Sequence, residues 1–116
     1  MNVALIGSGS WGTAVAGLAA ARAERVTMWA HSEQTAAGIN AKHRNPRYLV
    51  DYELPENVVA TTDLAQALDG AEAIIFAVPS THLRGVCHQA APFIADETPV
   101  LCLTKGIDPE SGLLMS

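Results

Sequence analysis

A doubly wound α/β domain built on an all-parallel sheet is what these 116 residues predict, and three observations carry that expectation. Short apolar runs at 3–6, 25–30, 58–61, 73–78 and 100–103 read as strands. Stretches compatible with helix separate most of them, so strand and helix alternate as in βαβ units. The first run passes directly into Gly7-Ser8-Gly9-Ser10-Trp11-Gly12, spaced G-x-G-x-x-G, ahead of an alanine-rich stretch. Strand, glycine turn and helix in that order mark the opening crossover of a Rossmann-type sheet. The expected strand order is 3-2-1-4-5, a partial version of that sheet, with a ligand crevice at the carboxyl ends where the order reverses.

Each glycine of the turn has a mechanical role. Gly7 permits the sharp exit from the strand, Gly9 lets backbone approach a diphosphate with no Cβ between, and Gly12 lets helix pack close to strand. The helix from Thr13 onward contains no proline and only Gly17 as a weak breaker. Its exposed N–H groups and the positive end of its dipole suit a pair of phosphates. The dipole contributes only about 0.3–1 kcal/mol, so several N–H contacts must supply the grip. This stretch reads as a dinucleotide site.

The second strand, 25–30, ends at Ala30-His31-Ser32-Glu33. NAD-selective folds place an Asp or Glu there for the ribose hydroxyls. A hydroxyl beside an imidazole instead favours a 2′-phosphate, whereas Glu33 and the lack of an arginine oppose one; NADP and NAD both remain open. Ser32 is the expected N-cap of a short helix running to about Ala41. Residues 42–55 (KHRNPRYLVDYELP) interrupt the alternation, with Pro46 and Pro55 as punctuation. This insert is either a solvated connector or a functional loop whose Arg44 and Arg47 screen a bound phosphate.

After the third strand, Thr62 is expected to cap a helix over 63–68 that ends near Gly70. The fourth strand is wholly apolar and therefore expected in the middle of the sheet. Pro79-Ser80 ends it, and a helix follows from Thr81 to about Phe93. His82 and His88 lie six apart, too far to share a helix face, so no metal site is expected. The carboxyl ends of strands one, four and five would carry Gly7 to Gly12, Val78-Pro79-Ser80 and Thr104-Lys105 onto one rim. Lys105 would place a mobile cation at the reactive end of a bound coenzyme, where a substrate phosphate could meet it.

Composition narrows the classes further. The net charge of −5 and the lack of a basic run argue against nucleic acid. No apolar run reaches membrane-spanning length, and no charged region precedes an apolar one at the N-terminus. A cytoplasmic protein with no membrane partner is expected. Cys87 and Cys102 lack any C-x-x-C spacing and read as reduced core thiols.

Several of these stretches together resemble the bacterial NAD(P)-dependent glycerol-3-phosphate dehydrogenases. The likeness rests on Ile6-Gly7-Ser8-Gly9-Ser10-Trp11-Gly12-Thr13-Ala14, Asn45-Pro46-Arg47-Tyr48-Leu49, Leu54-Pro55, Ala77-Val78-Pro79-Ser80 and Thr104-Lys105-Gly106-Ile107. It runs in register through the whole chain, and the combination is far more specific than the glycine turn alone. The resemblance implies hydride transfer between a nicotinamide coenzyme, NADP or NAD, and sn-glycerol 3-phosphate, giving dihydroxyacetone phosphate for phospholipid synthesis. It implies coenzyme contacts at Ser10, Trp11, His31 and Lys105, with Lys105 also touching substrate; Gly7, Gly9 and Gly12 of the turn, Ser32 after the second strand and Tyr48 of the insert complete the expected coenzyme site. Ser32 departs from the Arg or Asn usual in the family.

Enzymes of this family continue into a helical domain that holds the lysine proton acceptor, so residues 1–116 are expected to be the N-terminal coenzyme domain without a catalytic residue of its own. A homodimer is expected of the full-length protein. Rival readings are a sister reductase of the ketopantoate, pyrroline-5-carboxylate or 3-hydroxyacid type, and a nucleotide-sensing module that performs no chemistry. The sister enzymes share the glycine turn but lack Asn45-Pro46 with the V-P-S and T-K-G-I segments. A sensor needs no Lys105.

Overall fold

The computed structural model of the chain describes residues 1–46, 52–78 and 80–103. Among the described residues five strands form one sheet: β1 (Asn2–Ile6), β2 (Arg25–Trp29), β3 (Val58–Thr61), β4 (Ala73–Phe76) and β5 (Val100–Cys102). Their order is β3-β2-β1-β4-β5, as expected, and every neighbouring pair is parallel. Four helices connect them: α1 (Ser10–Ala20), α2 (Glu33–Lys42), α3 (Leu64–Leu68) and α4 (Ser80–Ala90).

Alternation along the strands sorts the apolar residues onto two faces. Val3 and Leu5 of β1 join Val26, Met28, Val58 and Ala60 in a cluster closed by Val15 and Ala16 of α1 and Ile39 of α2. Ala4 and Ile6 face the other way, with Ile74 and Phe76, onto Leu68 of α3 and Val86 of α4. Helices therefore cover both faces. Phe76, Leu5, Ile6, Met28 and Ile39 are among the largest fully buried side chains, so aliphatic packing dominates the core. At the edge of the sheet, the Asn40 carboxamide donates to the Ala60 carbonyl at 2.8 Å and accepts from the Ala60 N–H at 2.8 Å. That pair satisfies backbone groups an edge strand otherwise leaves to solvent.

Several boundaries depart from expectation, each for a physical reason. Helix α1 begins at Ser10 rather than Thr13, because Gly9 serves as its extended N-cap. The cap of α3 is Asp63, not Thr62: its carboxylate accepts from the Ala65 N–H at 3.0 Å and the Gln66 N–H at 3.5 Å. The Thr62 carbonyl instead accepts from the Trp29 indole at 3.0 Å. Strand β4 stops at Phe76 although its apolar run continues to Val78. Its partner β1 ends with the Ile6–Phe76 pair, and beyond it the chain turns at Gly7. Helix α4 ends at Ala90, and Pro92 turns the remainder into a 3-10 segment, Ala91–Phe93.

Cys87 and Cys102 are free thiols, but each is half-buried at the margin of the second cluster rather than inside it. Burial raises the pKa of Cys87, and Cys102 nearby adds to the effect. A thiol raised in the folded state keeps its contribution to stability below the ordinary cysteine pKa and loses it as pH rises through the raised value. Two outcomes are expected. Iodoacetamide modifies Cys87 more slowly than free cysteine at pH 8, as read by mass spectrometry. The melting temperature falls above about pH 9, and falls less steeply in Cys87→Ala.

Candidate dinucleotide site

The glycine turn is positioned by the ends of three strands. The Gly7 N–H donates to the Trp29 carbonyl at 3.2 Å, and the Ala77 N–H donates to the Ile6 carbonyl at 2.9 Å. Both bonds draw neighbouring chain against the turn, and Gly7 accommodates this with a φ of +142°. A Cβ at Gly7 would fall on the Ala77 carbonyl oxygen and lie 2.9 Å from its carbon. Gly12 is also closely fitted, since a Cβ there would stand 3.0 Å from both the carbonyl carbon and oxygen of Gly7. The sharp exit and the close approach of helix to strand are thus both present.

Gly9 is different. A Cβ built on it meets nothing within 4 Å, so the space beside it is open to a ligand. The Thr13 N–H donates to the Gly9 carbonyl at 2.9 Å, the first bond of α1. The N–H groups of Ser10, Trp11 and Gly12 therefore lie in the first turn, where a helix offers them no internal acceptor. Backbone donors beside an open cradle fit a diphosphate, and the helix dipole adds to the fit.

His31 and Ser32 follow β2 on the same rim, beside β1. His31 is exposed, and its ring packs on Trp29 with centroids 4.8 Å apart and planes tilted by 54°. The Trp29 bond to the Thr62 carbonyl anchors this stack. Ser32 is the N-cap of α2 as expected, accepting from the Gln34 N–H at 3.2 Å. That bond uses a lone pair and leaves the hydroxyl proton for another acceptor. Tyr48, Pro79 and Lys105, with the rest of the T-K-G-I segment, lie outside the described residues.

The insert is no simple connector where its structure is described. Arg44 pairs with Glu53 across it at 3.7 Å, both exposed, so this cation already faces a carboxylate. The Leu54 N–H donates to the His43 carbonyl at 2.7 Å, closing the insert near its base. Tyr52 rests against Gly17 of α1, and Pro46 against Gly38 of α2. Asn45, fully buried, reaches the glycine turn: its amide donates to the Ser8 carbonyl at 2.7 Å and to the Thr13 hydroxyl at 2.9 Å. Reasoning from sequence missed this contact. The one available signal was an asparagine placed directly before Pro46 in a segment otherwise read as loop.

A second hollow, about 490 Å³, lies at the amino-terminal rim of the sheet, lined by Met1, Val3, Ala23, Ala73, Pro99 and Val100 among others. Its lining is aliphatic apart from Arg22, so it has little to hold a phosphate. The polar backbone cradle is at the opposite rim.

Comparison with known proteins agrees with this geometry. Residues 2–116 match the family model described as the NAD-dependent glycerol-3-phosphate dehydrogenase N-terminus. The chain is 43% identical over 115 residues to the glycerol-3-phosphate dehydrogenase (NAD(P)+) of Corynebacterium aurimucosum, covering 99% of this chain and 35% of that protein. The crystal structure of glycerol-3-phosphate dehydrogenase from Coxiella burnetii superposes with a TM-score of 0.83 at 34% identity, over 95% of this chain and 34% of that one. A ketopantoate reductase from Ralstonia eutropha is more distant, with a TM-score of 0.73 at 29% identity over 91% of this chain and 35% of that one. The chain thus spans about a third of the length of the relatives it matches. It belongs to the family of NAD-dependent glycerol-3-phosphate dehydrogenase N-terminal domains.

Proposed function

We propose that this chain is the coenzyme-binding part of an enzyme that interconverts sn-glycerol 3-phosphate and dihydroxyacetone phosphate with NADP(H) or NAD(H), in the cytoplasm, for glycerophospholipid synthesis. One observation carries the reading: an open backbone cradle at Gly9, at the N-terminus of α1, in a chain of this family. In this reading the N–H groups of residues 9–12 hold the coenzyme diphosphate. His31 and Ser32 meet the adenosine ribose, where Ser32 can donate to a hydroxyl or a 2′-phosphate. Tyr48 contributes to the same coenzyme site.

The nicotinamide, when bound, accepts or supplies the hydride. Family resemblance assigns Lys105 to that end, where its ammonium would draw the substrate phosphate, a charge-assisted contact of about 1.5–3 kcal/mol. The carbinol proton must go to a positioned base, a step typically worth about 10²–10⁴ in rate. Family resemblance assigns that base to a lysine in a helical domain, which also suits a full-length homodimer. Residues 1–116 alone are therefore expected to bind coenzyme weakly at best and to turn over negligibly.

Calorimetry on the folded chain tests the binding half. Heat is expected with NADPH or NADH, and none with either at millimolar concentration overturns the reading. Lys105→Ala in the full-length enzyme tests the chemistry. Turnover should fall about 10- to 100-fold with coenzyme affinity largely kept; a nucleotide sensor would be indifferent to the change.

A further inference from the structure

The Ser8–Gly9 peptide can rotate as a unit through ψ of Ser8 and φ of Gly9 unless something holds it. Glycine at position 9 tolerates either sign of φ, and no neighbouring atom stands within 4 Å of the place its Cβ would occupy. A crankshaft rotation of this peptide would carry the Gly9 N–H away from the rim. The openness that admits a diphosphate therefore also threatens the donor that must meet it.

Asn45 opposes that rotation. Its carboxamide, fully buried, donates to the Ser8 carbonyl at 2.7 Å and to the Thr13 hydroxyl at 2.9 Å. The Thr13 hydroxyl lies 3.5 Å from the same carbonyl, so the three groups form a triangle beneath the turn. In a trans peptide the carbonyl and the following N–H point in opposite directions. A Ser8 carbonyl held inward by Asn45 therefore sets the Gly9 N–H outward, toward the open cradle. Position 45 comes from the insert, 37 residues along the chain, and the next residue, Pro46, rests against Gly38.

We propose that Asn45 is a positioning residue for the coenzyme: through the Ser8 carbonyl it locks the Ser8–Gly9 peptide with its N–H facing the diphosphate. This rests on the coenzyme reading above. The donor is oriented before the ligand arrives, so binding does not bear the cost of ordering a glycine-rich turn.

The test uses two probes, ADP-ribose, which carries the diphosphate, and adenosine, which does not. In Asn45→Ala, at a temperature well below its melting point, the Kd for ADP-ribose is expected to rise about tenfold or more. The Kd for adenosine, followed by NMR, should stay within about twofold. Thr13→Val keeps the buried shape and removes one acceptor of the amide, and should give the same selective loss at about threefold. If Asn45→Ala does not fold, Thr13→Val decides. Equal loss for both probes means a merely structural role and overturns the proposal, as does unchanged ADP-ribose affinity. A wild-type chain that ignores ADP-ribose overturns the coenzyme reading itself, an outcome visible before any variant is made.

Discussion

Gly7→Ala is expected to cost about 3–7 kcal/mol, enough to abolish the folded state of a marginal domain, read as loss of the cooperative melt followed by circular dichroism. Two effects combine. The φ of +142° lies in a region that side-chain-bearing residues rarely enter, a strain of about 1–3 kcal/mol. The added methyl also strikes the Ala77 backbone rather than a movable side chain. Relief requires the end of β4 to separate from β1, which breaks the 2.9 Å bond from the Ala77 N–H to the Ile6 carbonyl. Overpacking against rigid structure adds about 1–3 kcal/mol, and each lost backbone bond about 0.5–1.5 kcal/mol. For a domain of this size, whose whole stability is about 5–15 kcal/mol, that sum is decisive.

Gly70 provides the control. Its φ is also positive, +71°, yet a Cβ there meets nothing within 4 Å. Gly70→Ala should therefore cost only the backbone strain, about 1–2 kcal/mol. If the two variants melt alike, the Ala77 contact is not what constrains the turn.

What the residues alone revealed follows from the range of each interaction. The five strands and their order were legible because apolar runs and crossover rules are local signals, and β3 over Val58–Thr61 agrees residue for residue. The overrun of β4 was not legible from its own composition. Its last paired residue is determined by where β1 turns, 70 positions earlier in the pair Ile6–Phe76. The cap of α3 was misplaced by one because Thr62 and Asp63 are both capable acceptors, and only the backbone angles choose between them. Asn45 was the furthest from view. Asparagine is ordinarily a surface residue, and its partners lie at positions 8 and 13, so burial there reflects tertiary folding and no local pattern.

The same turn gives the second large effect, with the opposite division between stability and binding. Gly9→Ala should lower the melting temperature by only about 2–5 °C while the Kd for the preferred pyridine coenzyme rises about 10- to 100-fold. Gly9 has φ −76° and ψ −169°, ordinary extended backbone for any residue. Its new methyl would enter open space, so the only loss is a modest one in N-cap quality, about 0.5–1 kcal/mol. That same open space is where the coenzyme reading puts the diphosphate. A methyl there forces the phosphates off the N–H groups of the first turn of α1, and misfit of this kind costs about 1–3 kcal/mol, or one to two powers of ten in Kd. Thermal melts and calorimetry on the same samples separate the cases. Gly7→Ala loses fold and binding together, whereas Gly9→Ala keeps the fold and loses binding. Full coenzyme affinity in Gly9→Ala would move the ligand away from this turn, because a diphosphate held by the first-turn donors and a methyl group at position 9 compete for the same volume.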